Sequence, residues 1–130
     1  MMSRVNPLAV ATRLTGAIAT GNADVLASLY APNAFIWHNT DRIEMSLGEV
    51  VDLLRALKTV ADCAVDVSST LVTDHGFVQT QKNTYTFRDG RTTSFDAALL
   101  ATLDGDGRII RLDEYLDSAG LVPLLAALQS

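Results

Sequence analysis

The chain has 130 residues, 48% of them hydrophobic, with 10 basic against 15 acidic side chains and a net charge of −5. That length fits one domain, residues 1–130, which can bury roughly two-thirds of its unfolded surface without a disulfide or structural metal. The acidic balance excludes the basic footprint that binding to nucleic acid phosphates or an anionic membrane surface requires. Cys63 is the only cysteine, so no internal disulfide forms, and a cytoplasmic setting fits. The opening MMSRVNPLAVATRLTGAIAT is interrupted by Thr12, Arg13 and Thr15 and lacks the continuous apolar core of a secretion signal. No segment approaches the ~20 apolar residues of a membrane span.

Asn6 followed by Pro7 predicts a helix start: a capping side chain, then a proline where no N–H is needed. Leu8, Ala11, Leu14, Ala17 and Ile18 recur at helical spacing, and Gly21 can close the helix in a left-handed conformation. Asn22 caps a second, short helix carrying Asp24, Val25, Leu26 and Leu29, with Pro32 as its stop. The stretch APNAFIWHN, residues 31–39, predicts a strand over 34–39, and TDRIEM after it reads as a polar loop. Ser46 and Glu49 form a capping-box pattern ahead of a third helix with Val50, Leu53, Leu54 and Leu57 on one face. It fades near Val60.

The second half alternates as strands do. Ala64 to Thr73, Phe77 to Arg88, Arg91 to Leu103 and Arg108 to Leu116 are the four expected strands, the second rich in threonine and aromatics. Turns fall at Asp74-His75-Gly76, at Asp89-Gly90, and at residues 104–107. Asp89-Gly90 predicts a two-residue hairpin loop. The apolar tail LVPLLAALQS is expected to pack as a short helix. Helices first and an antiparallel sheet second imply an α+β layer fold, with a strongly curved sheet wrapped around the long N-terminal helix and a cavity between them.

Alternation assigns the strand faces. Ile110, Leu112, Glu114 and Leu116 form the more apolar set of the last strand and are placed inward. Phe95, Ala97, Leu99, Ala101 and Leu103 form an unbroken apolar set and also go inward, leaving Asp96 outside. A two-residue turn pairs Thr84 with Phe95 and Lys82 with Ala97, and paired residues share a face. Lys82 and Thr84 are therefore expected inside. A loop longer by one residue would reverse them. In the strand 34–39 alternation does not decide between Ala34, Ile36 and His38 on one side and Phe35, Trp37 and Asn39 on the other.

Three stretches carry a resemblance. "GNADVLASLYAPNAFIWHN", "DGDGRIIRLDEYLD" and the hairpin between them resemble the cone-shaped α+β fold of ketosteroid isomerases, SnoaL-like polyketide cyclases, limonene-epoxide hydrolases and nuclear transport factor 2. The resemblance spans nearly the whole chain. It implies that Ile36 and His38 face the cavity, with His38 where the isomerases hold their aspartate base and the epoxide hydrolases a water-holding asparagine. It puts Lys82, Thr84 and Glu114 where the epoxide hydrolases carry an arginine and two aspartates. The isomerases' oxyanion-hole tyrosine and aspartic acid are Leu14 and Leu99 here, and the hydrolases' water-holding tyrosine is Ile36.

These expectations make His38, Lys82 and Glu114 a base, an electrostatic anchor and an orienting carboxylate, suited to proton transfer beside a carbonyl. The plainer readings are a strand-end histidine and a structural ion pair. Leu14, Ile36, Thr84, Phe95, Ala97, Leu99, Leu112 and Leu116 are expected to line the cavity. No metal or cofactor is expected: Asp104 and Asp106 lack the spacing of a calcium loop. Trp37, Tyr85 and Tyr115 are expected on the outer sheet face, where this superfamily commonly dimerises. The function that follows is acid–base chemistry of an isomerase, cyclase or hydrolase on a small apolar organic ligand. A non-catalytic ligand-binding module, or a dimeric protein-interaction module, is the alternative.

Overall fold

The computed structural model describes residues 6–129. Helix α1 spans Pro7–Thr20 and α2 Ala23–Ser28, followed by strands β1 (Tyr30–His38) and β2 (Glu44–Ser46). Helix α3 (Leu47–Val60) precedes β3 (Ala61–Val72), β4 (Gly76–Phe87), β5 (Thr92–Leu103) and β6 (Ile109–Leu116), and α4 covers Ser118–Leu128. The caps are those expected: Asn6 accepts from the Ala9 N–H, Asn22 from the Val25 N–H, and Ser46 and Glu49 close a full capping box. Gly21 ends α1 at φ 67°.

All six strands form one curved, open sheet in the order β2-β1-β6-β5-β4-β3. Every pairing is antiparallel except β1 with β6, which is parallel. That exception follows from connectivity, since helix α3 and four strands, β2 to β5, intervene between them. β1 begins at Tyr30, so α2 stops at Ser28 and Pro32 sits inside the strand. The proline is tolerated because the ladder to β6 is irregular between Tyr30 and Phe35. Part of the expected loop TDRIEM is the short strand β2, paired to β1 through Phe35, Ile36 and Trp37.

The β4–β5 hairpin departs from expectation by one residue. The last pair is Thr86 with Thr92, the Phe87 N–H donates to the Arg91 carbonyl (2.8 Å), and the Gly90 N–H donates to the Phe87 carbonyl (3.0 Å). Gly90 has φ 90°. The connection is a three-residue loop with glycine at the bulge position, not a two-residue turn. Thr84 therefore pairs with Ser94 and Lys82 with Asp96, while Gln81 pairs with Ala97 and Asn83 with Phe95. Every β4 side chain changes face. Lys82 and Thr84 point to the outside, and Gln79, Gln81, Asn83 and Tyr85 are buried. Ile110 is corrected for a similar reason. A bulge leaves it unpaired between the Leu103–Ile109 and Thr102–Arg111 pairs, so it is exposed and Ile109 is buried.

Leu14 and Leu99 are buried with Ala11, Ala17, Ile36, Phe77 and Leu112 where α1 packs on the sheet. A second cluster joins Ala61, Tyr85, Phe95, Ala97, Leu116 and Leu124, and it holds α4 against β5. No described helix is long and apolar enough to cross a membrane.

Helix α4 is seated by Gly120. A methyl group there would overlap the Ser94 carbonyl oxygen and lie 2.8 Å from Phe95 Cβ, while Thr93 Oγ1 donates to the Gly120 carbonyl at 2.7 Å. Gly120→Ala is expected to destabilise by about 1–3 kcal/mol, the usual cost of overpacking, measured by urea unfolding. An unchanged midpoint would show that α4 is not clamped at this point.

Candidate active site

The cavity lies between the inner sheet face and helices α3 and α4, with a volume of about 410 Å³. Aliphatic side chains from α3 (Val50, Leu53, Leu54, Leu57) and α4 (Leu121, Leu124, Leu125, Leu128) form one wall. Ile36, Phe95, Leu112 and Leu116 from the sheet form the other. The volume falls within the range of small-molecule sites, and so does the pattern of a mostly apolar wall carrying a few polar groups.

His38 and Glu114 both enter this cavity. They are direct neighbours in the parallel β1–β6 ladder, and His38 Nε2 lies 3.2 Å from Glu114 Oε1. Their side chains are 17% and 15% exposed, so water screens the pair only weakly. Burial pushes the His38 pKa down, while the hydrogen bond and charge of Glu114 and the charge of Asp41 push it up, and the net result lies above the ordinary histidine value. The neighbouring Asn39 answers a separate question about β1. Its side chain accepts from the Leu116 N–H (2.9 Å) and donates to the Leu116 carbonyl (3.3 Å), so it continues the ladder after the strand's own backbone has left it. That fixes the end of β1 and the position of His38.

The other expected residues divide. Ile36, Phe95, Leu112 and Leu116 line the cavity as expected. Leu14 and Leu99 are sealed in the core at 0% and 1% exposure, and Ala97 packs in the second cluster without reaching the cavity. Lys82 and Thr84 face away, for the hairpin reason given above. Lys82 lies on the outer surface between Asp66 and Asp96 of the adjacent strands. Trp37 and Tyr115 do lie on the outer face, edge to face at 5.3 Å, but Tyr85 lies inside.

Tyr30, Asn83 and Tyr85 also line the cavity and were not foreseen. Burial first, then the Glu114 charge, raises the Tyr30 pKa. Burial also raises that of Tyr85, where the Cys63 thiol and Glu114 add to the effect and an Asn83 hydrogen bond opposes it. Asn83 ends a row of buried amides along the inner face of β4. Gln79 Nε2 donates to Gln81 Oε1 (2.9 Å) and Gln81 Nε2 to Asn83 Oδ1 (2.8 Å). The available signal was the repeat of two glutamines and an asparagine at alternate positions 79, 81 and 83. The cavity walls carry His38, Asp41 and Glu114 and no lysine or arginine among the described residues. Nor do the described residues hold a group of three or more His, Cys, Asp or Glu arranged to ligate a metal.

No protein-family model and no curated protein matches the sequence. Solved structures do match in fold. A SnoaL-like protein from Shewanella denitrificans aligns over 95% of this chain and 99% of its own at 10% identity, with a TM-score of 0.78. A limonene-epoxide-hydrolase-like epoxide hydrolase from Mycobacterium tuberculosis aligns over 95% and 94% at 16% identity, with a TM-score of 0.75. A nuclear-transport-factor-2-like protein from Burkholderia pseudomallei aligns over 93% and 98% at 14% identity, with a TM-score of 0.78. The chain therefore has the cone-shaped α+β fold shared by SnoaL-like, ketosteroid isomerase-like and nuclear transport factor 2-like proteins.

Proposed function

We propose that the chain is a cofactor-independent enzyme that moves a proton on a small, largely apolar organic molecule, with His38 as the base and Glu114 as its orienting carboxylate. The observation that carries this reading is the 3.2 Å His38–Glu114 pair within a 410 Å³ cavity of leucine, isoleucine and aromatic side chains. Such a cavity favours an apolar body through burial, and an imidazole held by a carboxylate can accept and return a proton. The chemistry is of the kind found in isomerases, cyclases and hydrolases. The Mycobacterium neighbour's epoxide hydrolase name is in keeping with this.

A direct test follows deuterium uptake α to the carbonyl of 1-tetralone in D2O by NMR, with wild type and His38→Gln. Faster uptake with wild type, lost in the variant, supports the proposal. Equal rates with both would remove His38 as a base. Binding of 1-tetralone without any exchange would leave a ligand-binding module, the alternative reading.

The outer sheet face supports a homodimer. Phe35, Tyr115 and Leu100 are 50%, 48% and 40% exposed on it, which is an apolar patch that a second copy would cover. Leu100→Arg is expected to convert a dimer to a monomer in sedimentation velocity. A wild-type chain that is already monomeric at tens of micromolar would contradict the assignment.

A further inference from the structure

Three buried amides on β4 form a chain whose direction can be worked out from hydrogen-bond chemistry. Thr15 Oγ1 gives its only proton to the Ala11 carbonyl (3.0 Å), so toward Gln79 it can only accept. The Gln79 atom facing it, at 2.9 Å, is therefore the amide nitrogen. That nitrogen has a second N–H, which goes to Gln81 at 2.9 Å, so Gln81 presents its oxygen. The Gln79 oxygen is taken by the Thr70 hydroxyl at 2.7 Å. With its oxygen committed, Gln81 turns its nitrogen to Asn83, and Asn83 must present its own oxygen there, at 2.8 Å. Gln79, Gln81 and Asn83 are 2%, 2% and 3% exposed, so water does not offer an alternative. Donor–acceptor chains of this kind strengthen cooperatively in a low-dielectric interior.

The consequence appears at the end of the chain. Asn83 alone of the three lines the cavity, and the free end of its amide is the nitrogen. That nitrogen carries two N–H groups; the Tyr85 hydroxyl beside it can engage one of them, which leaves the other for a ligand. We infer that Asn83 Nδ2 is a donor subsite that takes a neutral oxygen acceptor of the ligand, a ketone or ester carbonyl, and that Gln79 and Gln81 are positioning residues that hold the amide in this sense. This rests on the proposed small apolar ligand and deepens it. The cavity's charges point the same way. Asp41 and Glu114 repel a carboxylate, no lysine or arginine in the lining offsets them, and His38 is already paired with Glu114, so an uncharged acceptor is the oxygen group this site accommodates. With Lys82 on the outer face, Asn83 also takes over the electrostatic role expected of that lysine.

The test compares two bicyclic molecules that differ in one oxygen, 1-tetralone and tetralin, by titration at 10 °C with folding checked by circular dichroism. Wild type should bind the ketone about tenfold more tightly, as one net hydrogen bond implies. Asn83→Leu and Asn83→Ala should bring that ratio near one while tetralin binding is unchanged. A wild-type ratio near one, or a preference that survives both substitutions, overturns the subsite. Failure of wild type to bind either compound overturns the apolar-ligand reading beneath it. Gln81 does not line the cavity, so a purely structural role would leave the ketone preference intact in Gln81→Leu. A fall in the ratio there supports the relay. Retention there, with loss in both Asn83 variants, confines the site to Asn83 and overturns the positioning role.

Discussion

The His38→Gln variant is expected to exchange the α-protons of bound 1-tetralone about 10²–10⁴-fold more slowly than wild type, the usual contribution of a positioned general base. Glutamine keeps the approximate length and polarity of the side chain and removes the group that can hold the proton. The pH dependence identifies the base independently. Only neutral imidazole accepts a proton, so the wild-type rate should rise with pH through the folded His38 pKa, above the ordinary value of about 6.5. Glu114→Gln removes the charge that raises this pKa and leaves at most a neutral hydrogen bond, and burial, the largest influence, remains to lower it. The rising limb should therefore move to lower pH in that variant. Stability must follow with a fixed sign. A pKa raised on folding adds stability that is fully present below about 6.5 and is lost as pH rises through the folded value. Between pH 6 and 8.5 wild type should lose more thermal stability than Glu114→Gln. A rate profile identical in both proteins would mean that another group titrates.

The fold was legible because its signals are local. Asn6-Pro7, Asn22 and the Ser46–Glu49 box set helix starts through contacts three residues away, and the apolar spacing of α1 and the β5 alternation each point to one face. The site was half legible. His38 and Glu114 follow from the resemblance and from β6 alternation, and they meet because β1 and β6 run parallel in a register that brings the two side by side. The errors arise where a single residue changes the parity. Asp89-Gly90 reads equally well as a two-residue turn or as the second half of a three-residue bulged loop, and the choice exchanges Lys82 and Thr84 for Gln81 and Asn83. Burial of polar groups works against a second inference from composition. Three amides in a row suggest a solvated strand face, and they are buried here because each satisfies the next. The bulge at Ile110 is equally silent in the sequence, since Ile109 and Ile110 are chemically identical candidates for the one inward position.

Gln81→Leu is expected to destabilise the protein by about 2–4 kcal/mol, although leucine has nearly the same volume. The substitution leaves the Asn83 oxygen without its donor and half of the Gln79 amide without its acceptor, at positions only 2–3% exposed. A buried polar group left unpaired costs about 1–3 kcal/mol, and the retained Thr15 bond keeps Gln79 toward the low end. Replacing Gln79, Gln81 and Asn83 together by leucine removes both halves of the two amide–amide contacts and leaves only the Thr15 and Thr70 hydroxyls without their Gln79 partner, so the loss should be smaller than the sum of the three single changes. Denaturant unfolding of the four variants and wild type measures the difference, since residues within one hydrogen-bond network do not add. Additive losses would mean that the amides act separately and that their direction is not transmitted to Asn83. Non-additive losses with a stable triple variant would show that an apolar strand serves the fold equally well. The reason for amides in this position would then lie in what the last of them presents to the cavity.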